Sequence, residues 1–369
     1  MTSKIRIALA SILAIAALGA IAPAANAYVY WVNNSDNTIG RASLSGLSPN
    51  QSFITGADAP NGIAVDGRYI YWSNFSGNSI GRANLDGSSP DQNFMTSVTS
   101  PLGVAVDSNY IYWTTGVTIG RADLDGGNPN SNFIIPGGAT DGIAVDGNYI
   151  YWTSSSNNTI GRASLNGTGA NSNFITGAAS PYGVAVDGSH VYWTNFGANS
   201  IGRANLDGTT PDQSFLDAQG PFGIAVDEKY VYWAGGAGFD SIGRANLDGT
   251  GTPDQSFITG GALPRAVAVN ALPKPTVSRS GKPTKRSLKV RIGCGDSAAC
   301  SLRLTGKKVG GNARVVAKTV AVGAGQKPVV LLTYTAALRK ALVKGGRVSI
   351  TASDTATGQA SGTVVRVAK

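Results

Sequence analysis

Residues 62–94 read Gly62-Ile63-Ala64-Val65-Asp66, then Tyr69-Ile70-Tyr71-Trp72, then Ile80-Gly81-Arg82-Ala83-Asn84-Leu85-Asp86-Gly87, and close through a polar run on Phe94. The tryptophan returns at Trp31, Trp72, Trp113, Trp152, Trp193 and Trp233, and the arginine at Arg41, Arg82, Arg121, Arg162, Arg203 and Arg244. Successive arginines lie 41, 39, 41, 41 and 41 residues apart. A fixed period near 40 built from short β-type runs is the signature of a β-propeller, in which each repeat is one four-stranded blade. All six Trp of the chain are used, one per repeat, so six blades are expected. Asp66-Gly67, Asp146-Gly147 and Asp187-Gly188 are tight hairpin signals between the first and second runs. Runs that are apolar on both faces suit a blade sandwiched between two others.

The way the ring closes is also legible. Tyr28-Val29-Tyr30-Trp31 matches the second strand of a blade, with no first strand before it. The missing strand reappears as Arg265-Ala266-Val267-Ala268-Val269-Asn270. The last blade is therefore expected to take three strands from the start of the repeats and one from their end, which leaves no open sheet edge at the seam.

In chain order, residues 1–27 read as a signal peptide. Lys4 and Arg6 give a basic start, residues 7–21 an apolar core, and Ala25-Asn26-Ala27 a small-residue cleavage site. The mature protein is then expected to be secreted and extracellular, with possible association with the cell envelope. Residues 28–271 are the propeller. Residues 272–286, with Pro273, Pro275 and Pro283 among basic side chains, read as an extended linker. Residues 287–369 read as a small β-sandwich-like domain, from alternating runs such as Leu288, Val290 and Ile292. The fold class is thus all-β: a six-bladed propeller followed by a small sandwich-like domain. Cys294 and Cys300 are the only cysteines, and export predicts that they form a disulfide. Charge divides by segment. Residues 28–271 hold nine basic and nineteen acidic residues, a net −10, whereas 272–369 hold nineteen basic and two acidic residues, a net +17.

The Tyr-Trp doublet, preceded by Gly-Ile-Ala-Val-Asp and followed by Ile-Gly-Arg-Ala-Asn-Leu-Asp-Gly, resembles the YWTD repeat, the class B repeat of the low-density lipoprotein receptor. The resemblance covers residues 28–270 and implies a six-bladed propeller. The family's Asp is replaced here by Asn33, Asn74, Thr115, Ser154, Asn195 and Gly235. The regular repeats look like those of a bacterial secreted relative, and bacterial lactonases and the virginiamycin B lyase type share the pattern. Those enzymes imply, by resemblance, a His or a ring of carboxylates and amides holding a metal at the channel mouth.

No catalytic constellation and no metal set is evident in the residues, and no cofactor is expected. His190 is the only histidine and occupies a slot held by Tyr69, Tyr110, Tyr149 and Tyr230 elsewhere, so it reads as framework. Asp66, Asp107, Asp146, Asp187 and Asp227 read as turn formers. The repeated arginines read as structural, pairing with carbonyls or acids between blades.

Comparing the repeats with one another is more informative. The residue before each first strand is Asn61, Leu102, Asp141, Tyr182, Phe222 and Arg265, different in every blade. These should ring the mouth of the channel, with Phe75, Phe196 and Phe239 on the same face. Asn61, Asp141, Tyr182, Phe222 and Arg265 are the expected ligand-binding rim. The function expected is a binding or scaffold protein that presents this rim to an unknown protein or glycan ligand. The basic C-terminal domain would hold it at an anionic envelope polymer or lipid surface. Tyr334 is the only aromatic residue after 271, so no stacking platform for nucleic acid is expected. The alternative is an extracellular metal-dependent propeller enzyme of lyase or lactonase type.

Overall fold

A computed structural model describes residues 27–236 and 238–270 throughout, and between 271 and 369 the backbone of seven strands. The expected signal peptide and Cys294 fall outside the described residues, as does the side chain of Cys300, and with them the expected disulfide.

Strands β1 (Tyr28–Asn33), β2 (Thr38–Ser43) and β3 (Asn50–Thr55) share one antiparallel sheet with β24 (Pro264–Val269), in the order β24-β1-β2-β3. Val29 pairs with Val269 and Trp31 with Val267, so the first and last parts of the repeat region close one blade. Five further sheets of four consecutive strands span residues 60–95, 104–134, 143–176, 181–217 and 221–259. We number these blades 1 to 5 and the closing blade 6. Their innermost strands are β4 (Pro60–Val65), β8 (Val104–Val106), β12 (Ile143–Val145), β16 (Pro181–Val186) and β20 (Pro221–Val226). Each touches the next, and β24 completes the circle between β20 and β4.

The repeat explains itself once the blades are stacked. All six Trp are at most 1% exposed. Each core cluster spans two blades: Tyr71 of blade 1 packs with Trp113 of blade 2, and Tyr232 of blade 5 with Trp31 of the closing blade. Removing one indole from water stabilises the ring by about 4–6 kcal/mol as an upper bound. The indole also accounts for the glycine of Ile-Gly-Arg. Trp152 pairs with Gly161 across the hairpin, and a Cβ at Gly161 would lie 2.1 Å from the ring. The other five repeats share this close approach.

The repeated acids are turn formers, as expected. Asp66 accepts hydrogen bonds from the backbone N–H groups of Arg68 and Tyr69 and from the Tyr71 hydroxyl. Burial, reinforced by Asp66, pushes the Tyr71 hydroxyl well above its ordinary pKa, so it stays a donor. The arginines bind carbonyls of the next blade rather than acids. Arg162 donates to Leu206 O at 2.9 Å while its guanidinium lies between the rings of Tyr149 and Phe174.

One seam departs from this pattern. His190 begins β17 (His190–Asn195), where the corresponding residue of every other blade is Tyr. Arg203 keeps Phe215 at 3.7 Å but has no second ring beneath it, and it forms no bond to Leu247 O, the carbonyl its counterparts would reach. An open groove lined by His190, Arg203, Lys229 and Leu247 marks the place. Replacing His190 by Tyr should restore the missing ring and stabilise the protein by about 0.5–1 kcal/mol, read as a higher denaturant midpoint at unchanged slope. A lowered midpoint would mean that His190 holds this seam better than Tyr can.

Beyond the propeller, β25 (Thr276–Arg279), β26 (Ser287–Gly293) and β29 (Val329–Thr333) form one antiparallel sheet. Strands β27 (Cys300–Lys308), β28 (Lys318–Val322), β30 (Gly346–Asp354) and β31 (Ala360–Val367) form another. The expected linker is thus partly strand: β25 pairs with β26, Val277 opposite Ile292. Its Thr-Val-Ser alternation suits a pleat despite the flanking prolines.

Candidate functional site

Six different side chains meet at one end of the channel. Asn61, Leu102, Asp141, Tyr182, Phe222 and Arg265 line a single cavity of about 470 Å³, counting its open mouth. The backbone that carries them is a bulge. In β4, Pro60 pairs with Asn74 and Ile63 with Trp72, so Asn61 and Gly62 stand together opposite Ser73 alone. β16 and β20 repeat this, with Tyr182-Gly183 and Phe222-Gly223 as the extra pairs. The rim residues of these blades therefore lie within the first strand, not before it. A bulge turns the side chain at its first position off the sheet face, here into the mouth. The glycine at its second position lets inner strands touch: a Cβ at Gly62 would lie 2.5 Å from Leu102 O, and at Gly142, the corresponding residue of blade 3, one would lie 2.3 Å from Tyr182 O.

A hydroxyl relay holds four of these joints. Thr153 Oγ1 accepts from Gly142 N at 2.8 Å and donates to Tyr182 O at 2.6 Å. Ser73, Thr114 and Thr194 do the same toward Leu102 O, Asp141 O and Phe222 O. The two remaining blades carry Ala234 and Val32 at this place, so no hydroxyl serves the joints to Arg265 and Asn61. Our sequence reading missed these residues. The signal was there, in the residue following each Trp: four hydroxyls and two aliphatic side chains.

Electrostatically the mouth is divided. Asp141 Oδ2 accepts from Ser155 N at 2.8 Å. Burial outweighs this bond and pushes the carboxyl above the usual carboxylate value. Arg265 lies three blades away, on the opposite wall. Its guanidinium sits 4.4 Å from the centre of the Phe222 ring, and its Nε is sealed from solvent without an acceptor. Burial lowers its pKa, with Tyr182 acting in the opposite sense. No ion pair joins Arg265 to Asp141; the His190 ring lies 3.9 Å from Asp187 Oδ1, far from the mouth.

The aromatic side is packed. Phe222 is only 7% exposed. Phe196 lies 4.8 Å from it and Tyr182 5.0 Å, centre to centre. A Cβ at Gly236 would run into the Phe222 ring. Phe222 is therefore a floor beneath the mouth rather than an open rim side chain, whereas Tyr182 is half-buried and Phe196 is 37% exposed. Phe75 and Phe239, on the same face, are exposed.

His190 stands at the far end of β17 from Asn195, about 17 Å from the mouth end at ~3.4 Å per residue. It has no part in the site. Nor do the mouth residues fit a metal: the rim offers one carboxylate and one amide, opposed by a guanidinium. Among the described residues no three or more His, Cys, Asp or Glu side chains are grouped to hold an ion.

Fold and site together define a six-bladed β-propeller with a mixed polar and aromatic pocket at the mouth of its channel. The chain belongs to the virginiamycin B lyase family, whose profile matches residues 21–271. No match is found among curated proteins. Among solved structures it is similar to a nidogen/laminin complex chain at 20% identity, covering 66% of this chain and 98% of that one with a TM-score of 0.56. It is also similar to a streptogramin B lyase, at 19% identity over 72% of this chain and 87% of that one, with a TM-score of 0.50. A virginiamycin B lyase from Staphylococcus aureus matches at 23% identity over 56% and 73% of the two chains, with a TM-score of 0.44. At these identities the likeness concerns the fold.

Proposed function

We propose that this protein is a secreted binding protein of the YWTD kind, which takes a ligand at the channel mouth formed by Asn61, Asp141, Tyr182, Phe222 and Arg265. The observation that supports this reading is one of contrast. Trp, Gly, Arg and the turn acids recur around the ring, while the six residues converging on one cavity are all different. A purely structural ring has no need of an acid, an amide, a base and aromatics at a single rim. The ligand is a small molecule, or the projecting group of a protein or glycan. The test is a fragment screen by ligand-observed NMR on the parent and on Tyr182→Ala. Hits at the rim should weaken about tenfold or more in the variant, whose lost aromatic contact is worth at least ~1.4 kcal/mol. Hits indifferent to Tyr182 would move the site elsewhere.

In the same reading, the +17 of residues 272–369 holds the protein at an anionic envelope polymer or lipid surface. Many weak charge contacts fall steeply with salt. The whole protein should cosediment with cell-envelope material at low ionic strength and leave it at high. Retention in the supernatant at low salt, or salt-independent pelleting, would defeat this part.

A further inference from the structure

Arg265 is the residue at the mouth that the fold does not explain. The six repeated arginines each lie on at least one ring of their own blade, and five of them also reach a carbonyl of the next. Arg265 belongs to none of these locks. Its Nε is buried without a partner, its guanidinium makes no hydrogen bond to a described residue, and it lies over the ring of Phe222. The equivalent position holds Asn, Leu, Asp, Tyr or Phe in the other blades, so no backbone requirement selects Arg there. A buried donor without an acceptor is costly, more so when it carries charge. Arg265 nevertheless lines the mouth cavity, and its terminal guanidinium nitrogens, unlike Nε, are not sealed, so an acceptor entering the mouth would meet them.

The rest of the mouth narrows the choice. A guanidinium presents paired N–H groups that match a carboxylate edge. Asp141 stands on the opposite wall, tied to Ser155 N and not to Arg265. A group with a single negative charge balances Arg265; a dianion would carry its excess charge toward a carboxylate in a poorly hydrated space. Beside Arg265, Phe222 forms a floor and Tyr182 and Phe196 a wall, their centres 5.6 Å apart. Such a surface takes a flat or apolar body. We infer that the mouth takes a monoanionic carboxylate carried on an aromatic or apolar body, with Arg265 as its anchor, Tyr182 and Phe196 as its wall, and Asp141 as the group that turns away dianions. This rests on the reading of the channel mouth as the ligand site.

The test titrates the whole protein with three probes that share one benzyl body: phenylacetate, its neutral amide phenylacetamide, and dianionic benzylphosphonate. Phenylacetate should bind at least about tenfold more tightly than either of the others, as a charge-assisted bond pair to a partly buried guanidinium implies. Arg265→Met should abolish that preference without lowering the Tm, since it removes an unpaired charge. Arg265→Lys should restore part of it, and Asp141→Asn should narrow the gap between phenylacetate and benzylphosphonate. If phenylacetate and phenylacetamide bind alike and Tyr182→Ala weakens both, the mouth is a ligand site but not an anion site, and this inference falls alone. If no probe shows binding that depends on Tyr182, the inference falls together with the reading beneath it. If Arg265→Met lowers the Tm and leaves the preference intact, Arg265 is structural and the assignment is wrong.

Discussion

Deleting residues 264–269 is expected to open the ring and abolish a single cooperative unfolding transition. β24 supplies the innermost strand of the closing blade and the link between β20 and β4. Val267 packs in the cluster of Trp31 and Tyr232, and Ala268 in that of Tyr30 and Trp72. The strand also carries a ladder to β1. Two buried apolar side chains and several ladder bonds together contribute about 5–8 kcal/mol, comparable to the whole stability of many domains. The deletion would also bare one edge of β1, a template for association. Chemical denaturation followed by Trp fluorescence reads this directly, because all six indoles are buried. The variant should unfold broadly, at a much lower midpoint, with Trp31 emission shifted to the red before denaturant is added. A parent-like transition would mean that the ring closes without β24.

The second large effect concerns the glycines at which neighbouring inner strands touch. Gly142→Ala should destabilise the protein by about 3 kcal/mol or more, at the upper end of what overpacking costs. The added Cβ would meet Tyr182 O at 2.3 Å and the Gly183 Cα at 3.0 Å, both backbone of the next blade. No side chain can swing away to make room. The two inner strands must part, which also strains the Gly142 N to Tyr182 O bond and the Thr153 relay. Gly147→Ala is the internal control. It lies a few residues further along in the same blade, at an exposed hairpin tip where a Cβ would meet nothing within 4 Å. It should change the denaturant midpoint little. Equal effects at both positions would point to backbone propensity rather than to contact between blades.

The contrast between those two glycines reaches back to how the chain could be read at all. Trp152, Gly161 and Asp146 recur because each blade repeats one local geometry, an indole laid across a glycine and a turn closed by an acid. Such features follow from nearest neighbours in sequence and from a period near 40, so the blade count, the composite closure and the role of the turn acids were all legible beforehand. The rim residues could be picked out for the complementary reason, that they vary where nothing local constrains them. Their behaviour could not be read in the same way. Asn61 and Gly62 share one partner because neighbouring inner strands press together at the channel, and that pressure acts between residues 40 apart. Phe222 reads like Tyr182 in sequence, yet it is a buried floor because Phe196 and Gly236 close over it. Arg265 reads like one more arginine in an arginine-bearing repeat. Only the arrival of six strands at one axis leaves its guanidinium beside Phe222, across from Asp141 and with no acceptor, because the energy of a buried charge is set by what surrounds it in space.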